Sequence, residues 1–288
     1  MQRMYARDSI MKFPKSISLF SVALLIPSVW AGDLSTDVRK GADNPHAGDG
    51  NYVELGMTLN AENSPFYGIP EGATKGETKY NVSLDLNVHW QYKGWFMEGF
   101  SQSLESFTLG YNFADGDHWS LDAVALEQHP ELSAKVSSDL KGIKTRKGDY
   151  MFGVRATGYI DNYILQLHAL TDISDVHNGQ VLSIKMAQHW QYKNWNFHAI
   201  AGVSYRSERV ANYYYSVQPE DANEKFPEFE ANAGFTQTAE FGATYPISQK
   251  WVLRSLIRFV ELDHQWVGSP LIVSGHGSLT MMSLSYVF

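Results

Sequence analysis

The sequence predicts an all-β protein: a transmembrane antiparallel β-barrel of about twelve strands, with short periplasmic turns and longer extracellular loops. Three observations carry this. Long segments alternate strictly between apolar and polar residues; short and long connections take turns; and aromatic residues gather beside the short turns.

The first segments to set aside are N-terminal. Residues 11–31 carry Lys12 and Lys15, then a short apolar run, then Val29 and Ala31 at small-residue cleavage positions. Residues 1–31 therefore read as a secretory signal peptide, with Met11 as an alternative start. Residues 32–50 are rich in Asp and Gly and are expected to form a flexible periplasmic segment, leaving 51–288 for the barrel. The full chain carries a net charge of −8. Removing Arg3, Arg7, Lys12, Lys15 and Asp8 leaves 19 basic and 30 acidic residues, about −11, which argues against a nucleic-acid partner. There is no cysteine, so disulfides, thiolate metal sites and cysteine nucleophiles are excluded.

The alternation is clearest from Asn81 to Tyr92. Val82, Leu84, Leu86, Val88, Trp90 and Tyr92 are apolar, and every residue between them is polar. Twelve residues at about 3.3 Å each span about 40 Å, enough to cross a core of about 30 Å when tilted. Comparable patterns define strands at roughly 51–62, 80–92, 95–103, 105–113, 118–128, 149–160, 163–173, 180–192, 195–211, 234–246, 251–262 and 277–288. Every second connection is short, as at Lys93-Gly94, Asp161-Asn162 and Lys193-Asn194, where hairpin turns favour residues tolerant of positive φ. The others are mostly long.

HWQYKGW (His89 to Trp95) recurs as HWQYKNW (His189 to Trp195). The flanks do not repeat, so this is one hairpin end used twice rather than a duplicated domain. Trp90, Tyr92 and Trp95, like Trp190, Tyr192 and Trp195, fall on the apolar side beside the turn. An aromatic girdle at the headgroup level accounts for them. At the other end of the chain, Leu284, Tyr286 and Phe288 alternate with Ser and Val, resembling the C-terminal signal read by the barrel-assembly machinery of Gram-negative bacteria.

By parity the inward positions hold Glu54, Asp85, Glu98, Asp122, Arg155, Lys185, Arg206, Glu208, Glu240, Arg254 and Arg258. Mixed charges in a lumen must be paired or hydrated. Either they form an internal salt-bridge network, or they line a narrow water-filled channel. His89, His189 and His198 also point inward, without the spacing of a metal motif, so no metal or cofactor is assigned. His276 and Ser278 resemble the His/Ser pair of outer-membrane phospholipase A. No orienting acid is evident nearby, and no catalytic residue is assigned. The basic loop at 131–149 suits lipopolysaccharide phosphates or plain solvation. The acidic loop at 212–233, beside Tyr213-Tyr214-Tyr215, implies no particular ligand.

Several stretches of the last third carry a family resemblance: RVANYYYSV (Arg209 to Val217), FEANAGF (Phe229 to Phe235), TYPISQKW (Thr244 to Trp251), SPLIV (Ser269 to Val273) and LSYVF (Leu284 to Phe288). Through them the chain resembles the MipA/OmpV family of MltA-interacting outer-membrane proteins. The resemblance implies a non-enzymatic barrel of a Gram-negative outer membrane, in contact with lipid and lipopolysaccharide. It further implies a scaffold linking a lytic transglycosylase to a bifunctional penicillin-binding protein, which would make the periplasmic turns Lys93-Gly94 and Lys193-Asn194 the candidate partner-facing surface. A narrow porin-like channel and a surface adhesin are the alternatives.

Overall fold

The computed structural model describes residues 34–43, 51–66, 77–105, 107–135 and 137–288; the expected signal peptide lies outside them. Twelve strands follow in order: β1 (Tyr52–Asn63), β2 (Lys79–Tyr92), β3 (Trp95–Gly99), β4 (Phe107–Gly116), β5 (Trp119–Glu127), β6 (Tyr150–Ile160), β7 (Tyr163–Asp172), β8 (Gln180–Tyr192), β9 (Trp195–Arg206), β10 (Gly234–Pro246), β11 (Trp251–Leu262) and β12 (His276–Val287). Each pairs antiparallel with the next, and β12 pairs with β1, so the sheet closes on itself and has no free edge. Among the described residues no helix is long and apolar enough to cross a membrane.

The period-two pattern has the consequence its chemistry demands. On β1 and β2, Leu55, Met57 and Leu59 stand beside Leu86, Leu84 and Val82 on the outer face, the β2 residues 62% to 80% exposed. Such a continuous apolar belt is unstable against water and stable against lipid. At the short turns the first residue takes positive φ: Lys93 (49°), Asp161 (52°) and Lys193 (54°), with Gly94 at 89°. The strain falls on lysine in both HWQYK repeats rather than on the Gly/Asn partner alone.

Three strand ends differ from the sequence-based ones by three residues or more. β4 runs on to Gly116 because a bulge between Asn112 and Ala114 shifts its register against β5. β3 stops at Gly99 rather than 103, because the following residues turn into the lumen, where Phe100, Gln102 and Ser103 are buried. β9 stops at Arg206 rather than 211. There Val210, Ala211, Tyr214 and Tyr215 recur at helical spacing, and the chain forms helix α2 (Glu208–Tyr215) with those four residues buried. Glu208, expected in the lumen, is an exposed residue of that helix's first turn.

The expected mobile periplasmic tail is also corrected in part. Leu34–Lys40 forms a short helix inside the short-turn end of the barrel. This helix is α1, ahead of α2 in the chain. Leu34 and Val38, one turn apart, are wholly buried against Tyr159, Ile164, Ala187 and Ile200 of the inner wall. Asn196 Nδ2 donates to the carbonyls of Val38 (3.2 Å) and Arg39 (2.7 Å), and Tyr159 donates its hydroxyl to Asp37 at 2.7 Å. A free helix of this length does not persist in water. Burial of two large aliphatic side chains, at about 1.5–3 kcal/mol each, provides the missing stabilisation.

Candidate functional site in the lumen and at the outer mouth

The lumen is layered. Its short-turn end is apolar on β7, β8 and β9 and is covered by α1. Its middle is ionic. Its outer end is apolar again, with Val124, Leu126, Met151, Leu170 and Val181 on the wall, and the loops fold down onto it.

In the middle layer each charge meets a partner. Arg254 grips Glu54 in a two-pronged pair, both contacts 2.8 Å, and Asn87 donates to the same carboxylate at 3.3 Å. Arg155 donates to Asp122 (2.9 Å) and Glu98 (3.0 Å) while its guanidinium lies 4.8 Å from the Phe96 ring centre. Lys185 pairs with Glu105, and Asp85 accepts from Thr58 and Ser83. Glu240 is the hub. It accepts from Arg39 of α1 (2.5 Å) and Arg258 (2.7 Å), with the His198 ring nitrogen at 2.9 Å. The inward-folded segment after β3 is bolted to the same hub, since the Gln102 carbonyl accepts from both Arg39 (2.9 Å) and Arg258 (2.8 Å). Buried pairs of this kind are costly to break because either partner left alone is an uncompensated charge. They reach into the lumen from the wall, from α1 and from residues 100–105 at once.

Arg206 points to the outer layer, where a group invisible in the linear sequence assembles. His129 and Asp149 flank the loop between β5 and β6, and His177 sits between β7 and β8. The His129 Nδ1–H donates to Asp149 Oδ2 at 2.7 Å, and His177 Nε2–H donates to the same oxygen at 2.8 Å. Asp149 Oδ1 accepts the backbone N–H of Gln128 and of His129. The tautomers follow from partners that can only donate: Gly179 N–H faces His177 Nδ1 at 2.9 Å, and Arg206 Nε–H faces His129 Nε2 at 3.1 Å. Burial pushes the His129 imidazole down to about 4, against the opposing pull of Asp149. Burial alone would raise Asp149; the hydrogen bonds from both imidazoles prevail and hold it below the usual carboxylate range.

His129, Asp149 and His177 place three ligand-type atoms within 4.8 Å of one another. Their proton positions do not suit a metal. Each imidazole turns its N–H toward the shared point and its lone pair toward a fixed donor, so binding would require moving protons onto nitrogens already facing Arg206 and Gly179. The arrangement instead works as a latch. It joins two loops to β9, and His129 stacks on Tyr214 of α2 with ring centres 4.3 Å apart. Sequence reading missed it because its members are far apart in the chain, in no recognisable spacing. Of the three histidines singled out from sequence, His189 and His198 stand opposite each other on β8 and β9, while His89 lies on β2. His89 stacks on Tyr52 at 5.6 Å, His198 meets Glu240, and His189 lies beside Gly41.

The turn residues named from sequence occupy the opposite end. Trp90, Tyr92, Trp95, Trp190 and Tyr192 are exposed on the outer face. Trp195 packs on Tyr245 at 4.7 Å. Lys93 and Lys193 lay their ammonium groups 5.2 Å and 5.4 Å from the rings of Tyr92 and Tyr192, and Lys250 does the same over Tyr286 at 5.3 Å. Phe288 N–H donates to the Val53 carbonyl at 3.0 Å, and Tyr286 and Leu284 pair with β1 and β11 at the barrel seam. His276 and Ser278 share the outward face of β12, with no hydrogen bond between them among the described residues.

The family model described as MltA-interacting protein MipA matches residues 68–288. Outer membrane protein OmpV of Vibrio cholerae is 21% identical over 277 residues, covering 95% of this chain and all of that protein. The MltA-interacting protein of Escherichia coli is 25% identical over 162 residues, 54% of this chain and 64% of that protein. Among solved structures, the NanC porin aligns over 81% of this chain and 98% of its own, at 13% identity and a TM-score of 0.44.

Proposed function

The chain belongs to the MltA-interacting protein MipA family and is an outer-membrane β-barrel, and from that premise we propose that it is a sealed docking barrel that positions peptidoglycan-remodelling enzymes at the inner face of the outer membrane. The supporting observation is the lumen. Its charges are consumed by one another, by α1 and by residues 100–105. A barrel filled this way offers its surfaces, rather than its interior, to partners. The family name, MltA-interacting protein, supports a lytic transglycosylase as one partner; a penicillin-binding protein as the second is what the family resemblance implies. The periplasmic turns Lys93-Gly94 and Lys193-Asn194 present two like-charged, girdle-anchored knobs to them.

The test is capture of the cognate lytic transglycosylase and penicillin-binding protein on the detergent-folded barrel. The control carries Lys93→Glu and Lys193→Glu and must keep its heat-modifiable mobility. Retention by the native barrel and loss in the control is the expected result. No retention of either enzyme by the native barrel removes the scaffold. A second reading, a narrow channel opened when α1 leaves, is favoured by α1 being a separate helix rather than part of the wall.

A further inference from the structure

At the outer end of the lumen lies a cavity of about 300 Å³. Its floor is Arg258, its wall is formed by Glu62, Val260 and Leu279 on β1, β11 and β12, and its roof is Phe66, Tyr214 and Tyr215. This volume is at the small end of ligand sites. The lining is mainly apolar and aromatic, and the Phe66 and Tyr215 rings stack at 6.0 Å with 9° between their planes.

Two charged side chains line it, and they are in different situations. Arg258 is spent: it donates to Glu240 Oε2 at 2.7 Å and to the carbonyls of Gln102 and Ser103. Glu62 has no hydrogen bond or ion pair among the described residues. Its cross-strand neighbour is Lys79, whose ammonium is engaged by Glu77 at 2.7 Å. A desolvated, unpaired carboxylate is costly and either takes up a proton or is met by a cation. A compact cation with an apolar body suits such a site: the carboxylate takes the ammonium, and the apolar and aromatic lining takes the body.

We infer that this cavity is a binding site for a small organic ammonium ion, an amine carried on an aromatic or aliphatic body, with Glu62 as its counter-ion. The site is independent of the docking function proposed above, because it lies at the opposite end of the barrel from the periplasmic turns.

The probe is tyramine, with tyrosol as its neutral counterpart, an alcohol of nearly the same shape. Binding to the detergent-folded full-length barrel is followed by saturation-transfer NMR and calorimetry. Tyramine is expected to bind saturably and tyrosol at least tenfold more weakly; Glu62→Gln should cost tyramine at least tenfold and leave tyrosol unchanged. Val260→Trp, which fills the cavity without touching the charge, should abolish both, and it serves as the second variant should Glu62→Gln fold poorly. Absence of saturable tyramine binding, equal binding of the two probes, or tyramine binding unaffected by both substitutions overturns the assignment.

Discussion

Acid should open the outer cap, and the His129 latch sets how far. Neutral His129 fits its site, with the Nδ1 proton on Asp149 and the Nε2 lone pair on Arg206. A second ring proton would face a guanidinium, with His177 and Tyr214 also packed against the ring. The folded imidazole titrates at about 4 against an ordinary 6.5. Its contribution to cap stability is therefore complete above the ordinary value and is lost as pH falls toward 4. Asp149 works in a lower window, because its depressed carboxyl loses stability only as pH falls below the usual carboxylate range. Between pH 7.5 and 4.5 the histidine dominates, and linkage gives an opening constant larger by about 70-fold, or about 2–3 kcal/mol. The chain has no cysteine, which makes the assay direct. Ala211→Cys places one thiol in the buried core of the cap. Its reaction with 4,4′-dithiodipyridine, normalised to an unfolded peptide at each pH, reads the opening constant. His129→Asn keeps an N–H donor for Asp149 and does not titrate, so its response should be nearly flat. Equal opening constants at the two pH values, or the same acid response in His129→Asn, refutes the latch.

The ionic layer and α1 make further predictions. Arg254→Met leaves Glu54 buried without its two-pronged partner and should cost about 3–5 kcal/mol; adding Glu54→Leu should restore most of it, read as the thermal midpoint of the heat-modifiable shift. Leu34→Asp with Val38→Asp should expel α1 while sparing the wall, so that Arg39 becomes cleavable by trypsin in the folded barrel; continued protection would mean that helix burial is not driven by these residues. Gly94→Val meets the Tyr111 ring and a backbone at φ 89°, and should slow folding and lower stability by about 1–3 kcal/mol. Unchanged refolding of that variant from urea would show that the hairpin tolerates another turn.

The wall was legible because lipid imposes a strict period on it. From Asn81 to Tyr92 no residue breaks the alternation, and β2 spans Lys79–Tyr92. The inward charges were legible by the same parity, since a residue's side of the sheet depends only on counting. Their partners were not. Arg155 reaches Asp122 on the adjacent β5 and Glu98 on β3, three strands away, and Glu240 is joined to Arg39 from a segment that looked like a tail. A signal for α1 did exist. Ile164, Ala187 and Ile200 are apolar at inward positions, and the register places them side by side on β7, β8 and β9. An apolar patch facing a lumen needs a cover, and Leu34, Val38 and Ala42 recur every four residues in the N-terminal segment to provide it. The strand-like reading of 207–211 failed for a related reason: short apolar runs fit either period, and the four buried residues of α2 resolve it only when Tyr214 and Tyr215 are counted with Val210 and Ala211. The latch had no such signal, because loop residues are brought together by the barrel's closure and not by any local periodicity.

The claim on which the rest depends is that the lumen is sealed. Conductance of the purified barrel in planar lipid bilayers tests it most directly, with the Leu34→Asp/Val38→Asp variant alongside. The intact barrel is predicted to insert without conductance steps, and the variant to show small ones. Stable, reproducible steps from the intact barrel would contradict the sealed lumen and make the protein a channel.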